Sequence, residues 1–460
     1  MPISSKKNET DEISFIQPGE NLGKNIWKLT LPALVELLLG TLFGMVDMIM
    51  VGNINTQSLA AVGLTNQPMM LALAVFQSLN VGSMALVARF VGNGDKKNAE
   101  KVVRQTIIMT VFMGIVVSII GFIFAGSVAD FMGAEPDVLP LATGYLKIIS
   151  LGGLFISTTM GIGASLRGAG DTISPMRYNV ITNLLNVVLN YVLIYGKFGF
   201  PAMGVNGAAL ATTISRGIAM IMAFAALYHQ DSIIRPSKQR NNYNLDIAVI
   251  RRILKIGIPS GLEQFALRTG QIEFARTVAG LGTTVFAAHQ IGINVFGLSF
   301  APSMAFGMAA TTLVGQSLGA KRLNMAQKYG LETRRRGMFV AAAIASLFFF
   351  FGRQIAGLYT NDHQVIILAV VCLKIIAIIQ PLQSTQFILA GALRGAGDTR
   401  WPLYSTFIGV WGVRIVLTKL FINMGWGLTG AWIAQGCDQV FRSIFIYQRY
   451  KSGKWKKIRV

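Results

Sequence analysis

Cysteine and histidine are scarce in this chain. Its 460 residues include two cysteines, Cys372 and Cys437, and three histidines, His229, His289 and His363. Both cysteines fall within long apolar runs, which argues against a disulfide framework and against a cysteine metal cluster. The histidines are far apart, and no Ser/His/Asp or metal-ligand spacing appears, so a membrane-embedded enzyme is only a remote alternative and we expect no enzyme. The chain also has no nucleotide-binding Walker sequence, which argues against direct use of ATP.

Acidic residues are also few: 20 Asp and Glu stand against 41 Lys and Arg, which gives a formal net charge of +21. The distribution of these charges argues against a nucleic-acid partner. Basic residues gather in alternate connections between apolar runs, as in 89–104, 235–255 and 321–336, and again in 451–459. The other connections carry little that is basic. Because an excess of Lys and Arg marks the cytoplasmic side of a membrane, we expect both termini in the cytoplasm, on the inner side of the plasma (inner) membrane.

Long apolar runs dominate the chain, in which 53% of residues are hydrophobic and only 13% are charged. Each run has about 20 residues or a little more, enough for a helix to cross the roughly 30 Å hydrocarbon core. The sequence predicts an all-α integral membrane protein with twelve spans, near 26–52, 58–88, 103–127, 139–165, 175–195, 204–228, 255–280, 284–315, 337–359, 365–391, 402–422 and 428–449.

The chain is an internal duplication. The segment Leu166–Pro175 (LRGAGDTISP) returns as Leu393–Pro402 (LRGAGDTRWP), and the same shift of 227 residues carries Glu36 onto Glu263. A fixed register over so long a stretch marks a repeated unit. Each copy has six spans, so both copies run in the same direction through the membrane as parallel repeats. The predicted segments are an N-terminal tail 1–24, a first lobe 25–228, a linker 229–254, a second lobe 255–449 and a basic tail 450–460.

The LRGAGDT segments predict turns between helices. Gly168 and Gly395 are expected to end a helix in the left-handed conformation. Asp171 or Thr172 is a candidate cap for the next helix, with Pro175 in its first turn. This architectural interpretation is favoured over a role in gating.

One carboxylate lies deep in the first span. Asp47 has apolar residues on both sides, and a charge at this depth costs about 2.5–3.5 kcal/mol, so it requires a partner or a use. Asn186 and Asn190 of the fifth span are predicted to lie at a similar depth, as are Thr212 and Thr213 of the sixth. Together they form a candidate sodium or proton site. The alternative is that asparagines on this helical face, Asn179, Asn183, Asn186 and Asn190, join helices through hydrogen bonds.

The second copy carries its own intramembrane polar residues, which are expected chiefly to pair with one another. Glu273 and Arg276 are spaced to pair along one helix. A second ion site or the lining of a cavity is the alternative, with Glu263, Gln264, Arg268 and Glu273 as candidates. The remaining charged residues of this group are Arg414, Asp438 and Arg442.

Twenty methionines are available to line an adaptable pocket for varied ligands, because the methionine side chain repacks easily. Facing lipid or filling the core is the more common role for such residues. The candidates for a substrate cavity are Met45, Met69, Met304 and Met308.

Several motifs together resemble the multidrug and toxic compound extrusion (MATE) family: PALVE and MVDMIMVG in the first span, LRGAGDT in both copies, NYVLIYG at the end of the fifth span and GVNGAALATTISR in the sixth. The resemblance implies a V-shaped pair of six-helix bundles that exports cationic or amphipathic drugs in exchange for Na⁺ or H⁺. It also implies a cation pocket at Asp47, Asn186 and Asn190, with Thr212 as the matching hydroxyl. Na⁺ is a possible occupant there. Some members have a second acidic residue where this chain has Asn190.

The resemblance implies no cofactor beyond the coupling ion, and we expect a monomer in the lipid bilayer. Some members of the family have a coupling carboxylate in the seventh span. This resemblance makes Glu263 or Glu273 a candidate for that role. The nearest rival function is that of a lipid-linked oligosaccharide flippase of the same superfamily. Such a protein is expected to have more basic side chains in its central cavity, where they would bind a pyrophosphate. Arg268, Arg276 and Arg414 keep this alternative open.

Overall fold

The computed structural model describes residues 21–236 and 244–458, and within these ranges the secondary structure is entirely helical. The helices are α1 (Leu22–Gly52), α2 (Thr56–Gly92), α3 (Lys96–Ile123), α4 (Ala125–Phe131), α5 (Leu139–Leu151), α6 (Gly153–Ala169), α7 (Ile173–Tyr195), α8 (Gly204–Tyr228), α9 (Ile247–Ala279), α10 (Thr283–Gly319), α11 (Leu323–Gly357), α12 (His363–Gly395), α13 (Arg400–Phe407), α14 (Ile415–Asn423) and α15 (Gly427–Lys451). A π-helical segment, Ile408–Arg414, joins α13 to α14.

Each of the twelve predicted spans coincides with a helix or with a broken helix. The fourth span consists of α5 and α6, which meet at an angle of 44°. The eleventh consists of α13, the π segment and α14. Nine helices of the described chain, and α5 with α6 as a bent pair, are long and apolar enough to cross a membrane. The two remaining spans, α9 and α15, carry most of the intramembrane charges of the second copy.

The described residues form two compact units. The first unit holds residues 35–236 and 244–257, and the second holds residues 21–34 and 258–458. Both divisions fall inside a helix and close to a proline, Pro32 in α1 and Pro259 in α9. Because proline cannot donate the helical hydrogen bond, it is a natural point for a helix to bend. The predicted lobes begin at residues 25 and 255, which also lie inside α1 and α9.

Three predicted segments are only partly described. Residues 1–20 of the N-terminal tail, 237–243 of the linker and 459–460 of the basic tail lie outside the described residues. The linker is shorter than predicted, because α9 already begins at Ile247. In the basic tail, Trp455 is fully buried in the second unit and its indole nitrogen donates to the Tyr450 carbonyl at 2.8 Å.

The repeated LRGAGDT segments form turns, but the prediction of the left-handed residue was wrong by two positions. Gly170 (φ 100°) and Gly397 (φ 82°) adopt this conformation, whereas Gly168 and Gly395 lie within helices. Gly168 is required for a different reason, since a Cβ atom there would come within 2.6 Å of the Met84 carbonyl oxygen on α2.

The capping prediction for the first copy is confirmed. The Asp171 carboxylate accepts the backbone N–H groups of Ile173 and Ser174 at 3.1 and 2.9 Å, at the start of α7. In the second copy the corresponding Asp398 instead accepts a hydrogen bond from Arg449 at 2.8 Å.

Candidate cation site

Three helices of the first unit bring the predicted site residues together. Asp47 lies on the part of α1 that belongs to this unit, Asn186 and Asn190 lie one turn apart on α7, and Thr212 lies on α8. The four-residue spacing on α7 places both amides on the same face of the helix. Both asparagines are buried, while Asp47 is partly buried.

Both amides contact the carboxylate. Asn190 Nδ2 donates to Asp47 Oδ1 at 2.6 Å. The Asn186 amide satisfies its neighbours when its nitrogen faces the carboxylate, since it then donates to Oδ1 and Oδ2 of Asp47 at 2.9 and 3.0 Å and its oxygen accepts the Thr212 N–H at 3.2 Å. In the opposite orientation Asn186 Nδ2 reaches Thr212 Oγ1 at 3.3 Å. The neutral donors therefore offset much of the cost of a carboxylate at this depth.

A cavity of about 70 Å³ opens beside the carboxylate. This volume is ample for a small ion or for a few water molecules. Its lining includes three predicted residues of α1 and α7, Asp47, Asn183 and Asn186, and it adds polar residues that the sequence analysis did not select. The complete lining is Gly40, Phe43, Gly44, Asp47, Thr182, Asn183, Asn186, Thr212, Ser215 and Arg216.

Arg216 is the residue that the sequence analysis missed. It lies one turn after Thr212 on α8, so the (i, i+4) spacing was the signal that could have identified it. Its guanidinium is near enough to interact electrostatically with Asp47. It forms no ion pair within 4.0 Å among the residues that the structure describes. The cavity thus contains a carboxylate and a guanidinium that are not in direct contact.

The donor set fits a small monovalent cation. Asn190 Oδ1 is buried and has no hydrogen-bond partner, which leaves an oxygen beside the carboxylate for an ion. Rotation of either amide would exchange its nitrogen for an oxygen, and carboxylate, amide and hydroxyl oxygens are the ligands of hard cations. Across residues 21–236 and 244–458, no group of three or more His, Cys, Asp and Glu side chains is placed to bind a metal ion. One carboxylate with neutral oxygens therefore suits a single positive charge.

Asn179 of α7 and Thr213 of α8 have separate roles. Asn179 donates to Glu36 Oε1 at 2.7 Å, and Arg167 forms an ion pair with the same oxygen at 2.5 Å. Thr213 Oγ1 donates to the Ile148 carbonyl at 3.1 Å and so supports the backbone of α5. Only part of the polar face of α7 therefore serves the site at Asp47.

In the second unit the acidic candidates are already paired. Glu263 receives two hydrogen bonds from Arg394, at 2.7 and 2.8 Å, and a third from Thr406 at 3.3 Å. Glu273 forms an ion pair with Lys419 at 3.1 Å. The predicted pairing of Glu273 with Arg276 was wrong, because Lys419 on α14 approaches the carboxylate more closely than the neighbour on its own helix.

The most deeply buried charges of the second unit belong to one cluster. Arg414 Nε donates to Asp438 Oδ2 at 3.0 Å, and a second guanidinium nitrogen contacts the same oxygen. Arg442 lies 3.9 Å from this oxygen and donates to Thr406 Oγ1 at 3.1 Å. All three charged residues are at most 3% exposed. These contacts make the cluster a set of internal ion pairs, as the pairing prediction expected.

The remaining candidates do not join the cavity at Asp47. Met45 and Met304 are exposed at 43% and 37%, and Met69 and Met308 are partly buried. Arg268 is exposed and Gln264 is partly buried on α9. A role in substrate binding stays a prediction for these residues.

A chain with at least nine apolar helices long enough to cross a membrane among its described residues, and a polar cavity beside an intramembrane carboxylate, is typical of a membrane transporter. Comparison with known proteins identifies which transporters this chain resembles. The MatE family model matches residues 32–192 and 259–420, once in each copy, with starting points separated by the 227-residue repeat. The chain therefore belongs to the MatE family of transporters, and the resemblance predicted from its motifs is confirmed.

Relatives match over nearly the whole chain. A probable multidrug resistance protein NorM of Thermotoga maritima is 32% identical over 440 residues, which cover 94% of this chain and 93% of the relative. The multidrug resistance protein PmpM of Pseudomonas aeruginosa is 30% identical over 405 residues, which cover 85% of this chain and 82% of PmpM.

A solved structure supports the fold. The outward-facing conformation of a multidrug resistance MATE family transporter of the MOP superfamily superimposes with a TM-score of 0.88, at 23% identity over 95% of this chain and 97% of the other. The prediction of a twelve-helix MATE-type fold is confirmed, and the chain is a transporter rather than an enzyme.

Proposed function

We propose that this protein is a secondary active multidrug efflux antiporter, which exports cationic or amphipathic drugs in exchange for Na⁺ or H⁺ by alternating access. One observation carries the proposal: the Asp47 carboxylate is held at membrane depth by two amides beside a small cavity. The names of the relatives NorM and PmpM support the drug substrates. An ion and a drug that favour opposite conformations would drive the exchange, because a ligand shifts an equilibrium only through its different affinities for the two states.

In this proposal Asp47 binds the coupling ion. A proton would bind the carboxylate directly, whereas Na⁺ would require the amides of Asn186 and Asn190 to turn their oxygens toward it, with Thr212 as a further ligand. One charge moving down 100 mV supplies about 2.3 kcal/mol. At about 1.4 kcal/mol per tenfold ratio, this supports a gradient of between tenfold and a hundredfold for an uncharged drug. One-for-one exchange with a monocationic drug moves no net charge and would be driven by the concentration gradient of the ion.

Arg216 would compete with the coupling ion. Its positive charge lies beside Asp47 without neutralising it through a direct contact. A neighbouring cation weakens the binding of another cation, so Arg216 would keep the affinity for the ion low enough for release. This arrangement would let the site cycle between an ion-bound and an ion-free state.

The proposed location is the inner (plasma) membrane with both termini in the cytoplasm, and the proposed functional unit is the monomer. The concentration of Lys and Arg in alternate connections and in the C-terminal tail supports this orientation. A flippase function is not favoured. Arg414, one of the cations that suggested it, already forms an ion pair with Asp438 and is therefore not available to a pyrophosphate.

The test is the efflux of a fluorescent organic cation from proteoliposomes under an imposed sodium gradient or an imposed proton gradient. Wild type should respond to one gradient, and Asp47→Asn should reduce the coupled rate at least tenfold. Glu273→Gln, which removes a carboxylate from the second unit, is the matched control and should retain coupling. Coupled transport that survives in Asp47→Asn would rule out this site, and the absence of drug transport under both gradients would rule out the function.

A further inference from the structure

A basic groove lies at the start of α11 in the second unit. It has a volume of about 680 Å³ and is bordered by the N-terminal residues of α1 and by Tyr447 of α15. Four basic residues and one acidic residue line it, together with three apolar side chains. The complete lining is Asn21, Leu22, Gly23, Lys328, Leu331, Glu332, Arg334, Arg335, Arg336, Met338 and Tyr447.

The charge of this groove is not compensated by the described residues around it. Glu332 pairs with Arg336 at 3.2 Å. Arg335 and Lys328 are exposed and form no ion pair within residues 21–236 and 244–458. Arg336 Nε is buried and lacks a hydrogen-bond partner, although its guanidinium packs against the backbone of Gly23. A free N–H donor and two unpaired cations in one groove indicate an anionic ligand.

The repeat shows that the arginines are not a general feature of the architecture. The 227-residue shift carries Arg334, Arg335 and Arg336 back onto Ile107, Ile108 and Met109 in the first copy. Only the second copy therefore combines three arginines with an open groove. The duplication preserves the helix but not its charge.

The counterpart region of the first unit already holds an anion. Lys101, which corresponds to Lys328, forms an ion pair with Asp246. Gln105, which corresponds to Glu332, donates to the Asn244 carbonyl at 2.8 Å and accepts the Asp246 N–H at 3.2 Å. A carboxylate from the chain thus occupies this position in the first copy, which shows that the position suits a negative group.

The position along α11 favours a lipid over a soluble anion. The groove spans residues 328–338, and the apolar span predicted from the sequence begins at residue 337, so the groove lies at the membrane boundary on the side of the basic connections. Leu22, Leu331 and Met338 provide apolar surface beside the cations. Basic pockets between helices on the cytoplasmic side are suited to anionic lipid headgroups.

We propose that this groove binds the headgroup of an anionic phospholipid, with the phosphate at Lys328 and Arg335 and an acyl chain along Leu331 and Met338. Arg334 has a structural role beside it, since its guanidinium lies 4.6 Å from the centre of the Tyr447 ring and donates to Thr385 at 3.2 Å. The inference does not depend on the transport function.

The test is native mass spectrometry of the full-length, delipidated protein titrated with phosphatidylglycerol or with phosphatidylcholine. Wild type should bind one phosphatidylglycerol at least tenfold more tightly than phosphatidylcholine. The double variant Lys328→Gln/Arg335→Gln should lose this preference, because each basic residue at an anionic surface contributes a factor of about five. The matched control is Arg251→Gln/Arg252→Gln, which removes two exposed arginines of α9 in the first unit and should leave the preference unchanged.

Three outcomes would overturn the proposal. Equal binding of the two lipids by wild type would exclude a selective site. An unchanged preference in Lys328→Gln/Arg335→Gln would place the lipid elsewhere. Glycerol 1-phosphate that displaces phosphatidylglycerol at equal concentration would show that the apolar surface contributes nothing and that the site takes a free phosphate.

Discussion

The two units share a partly buried ion pair but differ in the polar residues farther along the same helices. In the first unit Glu36 pairs with Arg167 and accepts from Asn179. The second unit repeats this arrangement with Glu263, Arg394 and Thr406, each shifted by 227 residues. The duplication has therefore preserved a contact between the first, fourth and fifth spans of each copy.

The difference appears at the position of Asp47. The repeat shift replaces it with Phe274, and Arg414 lies over the Phe274 ring at 5.8 Å. The shift itself carries Asn186 onto Val413, but a π-helical segment takes one more residue per turn than an α-helix, which explains why Arg414 faces this position instead. The first unit thus presents a carboxylate to neutral amides, whereas the second presents a guanidinium with its own counter-ion.

This comparison suggests why only one unit would serve as the ion site. In the second unit Arg414 supplies the positive charge permanently, and Asp438 neutralises it within the protein. In the first unit Asp47 has no directly bound cation among the described residues, so its charge can be balanced by an ion from solution. An ion that comes from solution can bind and be released again, and coupled transport requires this cycle of binding and release.

The largest expected effect is on the free energy of unfolding, which should distinguish Asp438 from Asp47. Asp438→Asn should lower the free energy of unfolding by about 3–5 kcal/mol, because it leaves Arg414 and Arg442 buried without their counter-ion. Asp47→Asn should change it by less than about 1 kcal/mol, since the amides accept a neutral partner. Unfolding in mixed micelles with increasing dodecyl sulfate measures both. Equal losses in the two variants would contradict the distinction between a structural and a functional carboxylate.

The second prediction concerns a feature that the units share. Gly168→Ala and Gly395→Ala should each destabilise the protein by about 1–3 kcal/mol, because a Cβ atom would strike the backbone carbonyl of Met84 or of Thr311. Gly412→Ala, where the nearest atom to a Cβ is a side-chain carbon at 3.7 Å, is the control. The same unfolding assay applies. A loss confined to one copy would show that the helices in the other can separate to admit a methyl group.

The third prediction tests Arg216 in the first unit. Arg216→Gln should strengthen ion binding about tenfold, because it removes a positive charge near Asp47. Arg216→Lys should retain most of the wild-type affinity. The measurement is the ion concentration for half-maximal coupled transport, with Asp47→Asn as the reference that lacks the site. If Arg216→Gln leaves this concentration unchanged while Asp47→Asn abolishes coupling, the ion site stands and the role of Arg216 is wrong.

The sequence predicted the repeat, the twelve spans and the meeting of Asp47 with Asn186 and Asn190, because these follow from hydrophobic length and from helical spacing. It did not predict that Arg414, rather than Val413, faces Phe274. A π turn shifts the register of the helix, and nothing in the amino-acid composition signals such a turn. The sequence also missed the pairing of Glu273 with Lys419. That contact depends on how two helices pack, whereas the predicted partner depended only on distance along one helix.

The smallest effect is expected where the first unit holds its own anion, at Asp246. The hydrogen bond from Lys101, followed by that from the Val249 N–H, lowers the pKa of Asp246 below its ordinary value of 3.8. A carboxylate with a lowered pKa stabilises the folded state at pH values above the ordinary pKa, and this contribution disappears as the pH falls through the lowered value.

The measurement is hydrogen exchange in the first turn of α9, with each rate divided by the intrinsic rate at the same pH. This relative rate should rise below about pH 4 in wild type. Asp246→Asn should exchange faster already at pH 7 and show no further acid-dependent step, and Lys101→Gln should weaken that step. An identical pH profile in all three proteins would mean that this ion pair does not hold the start of α9.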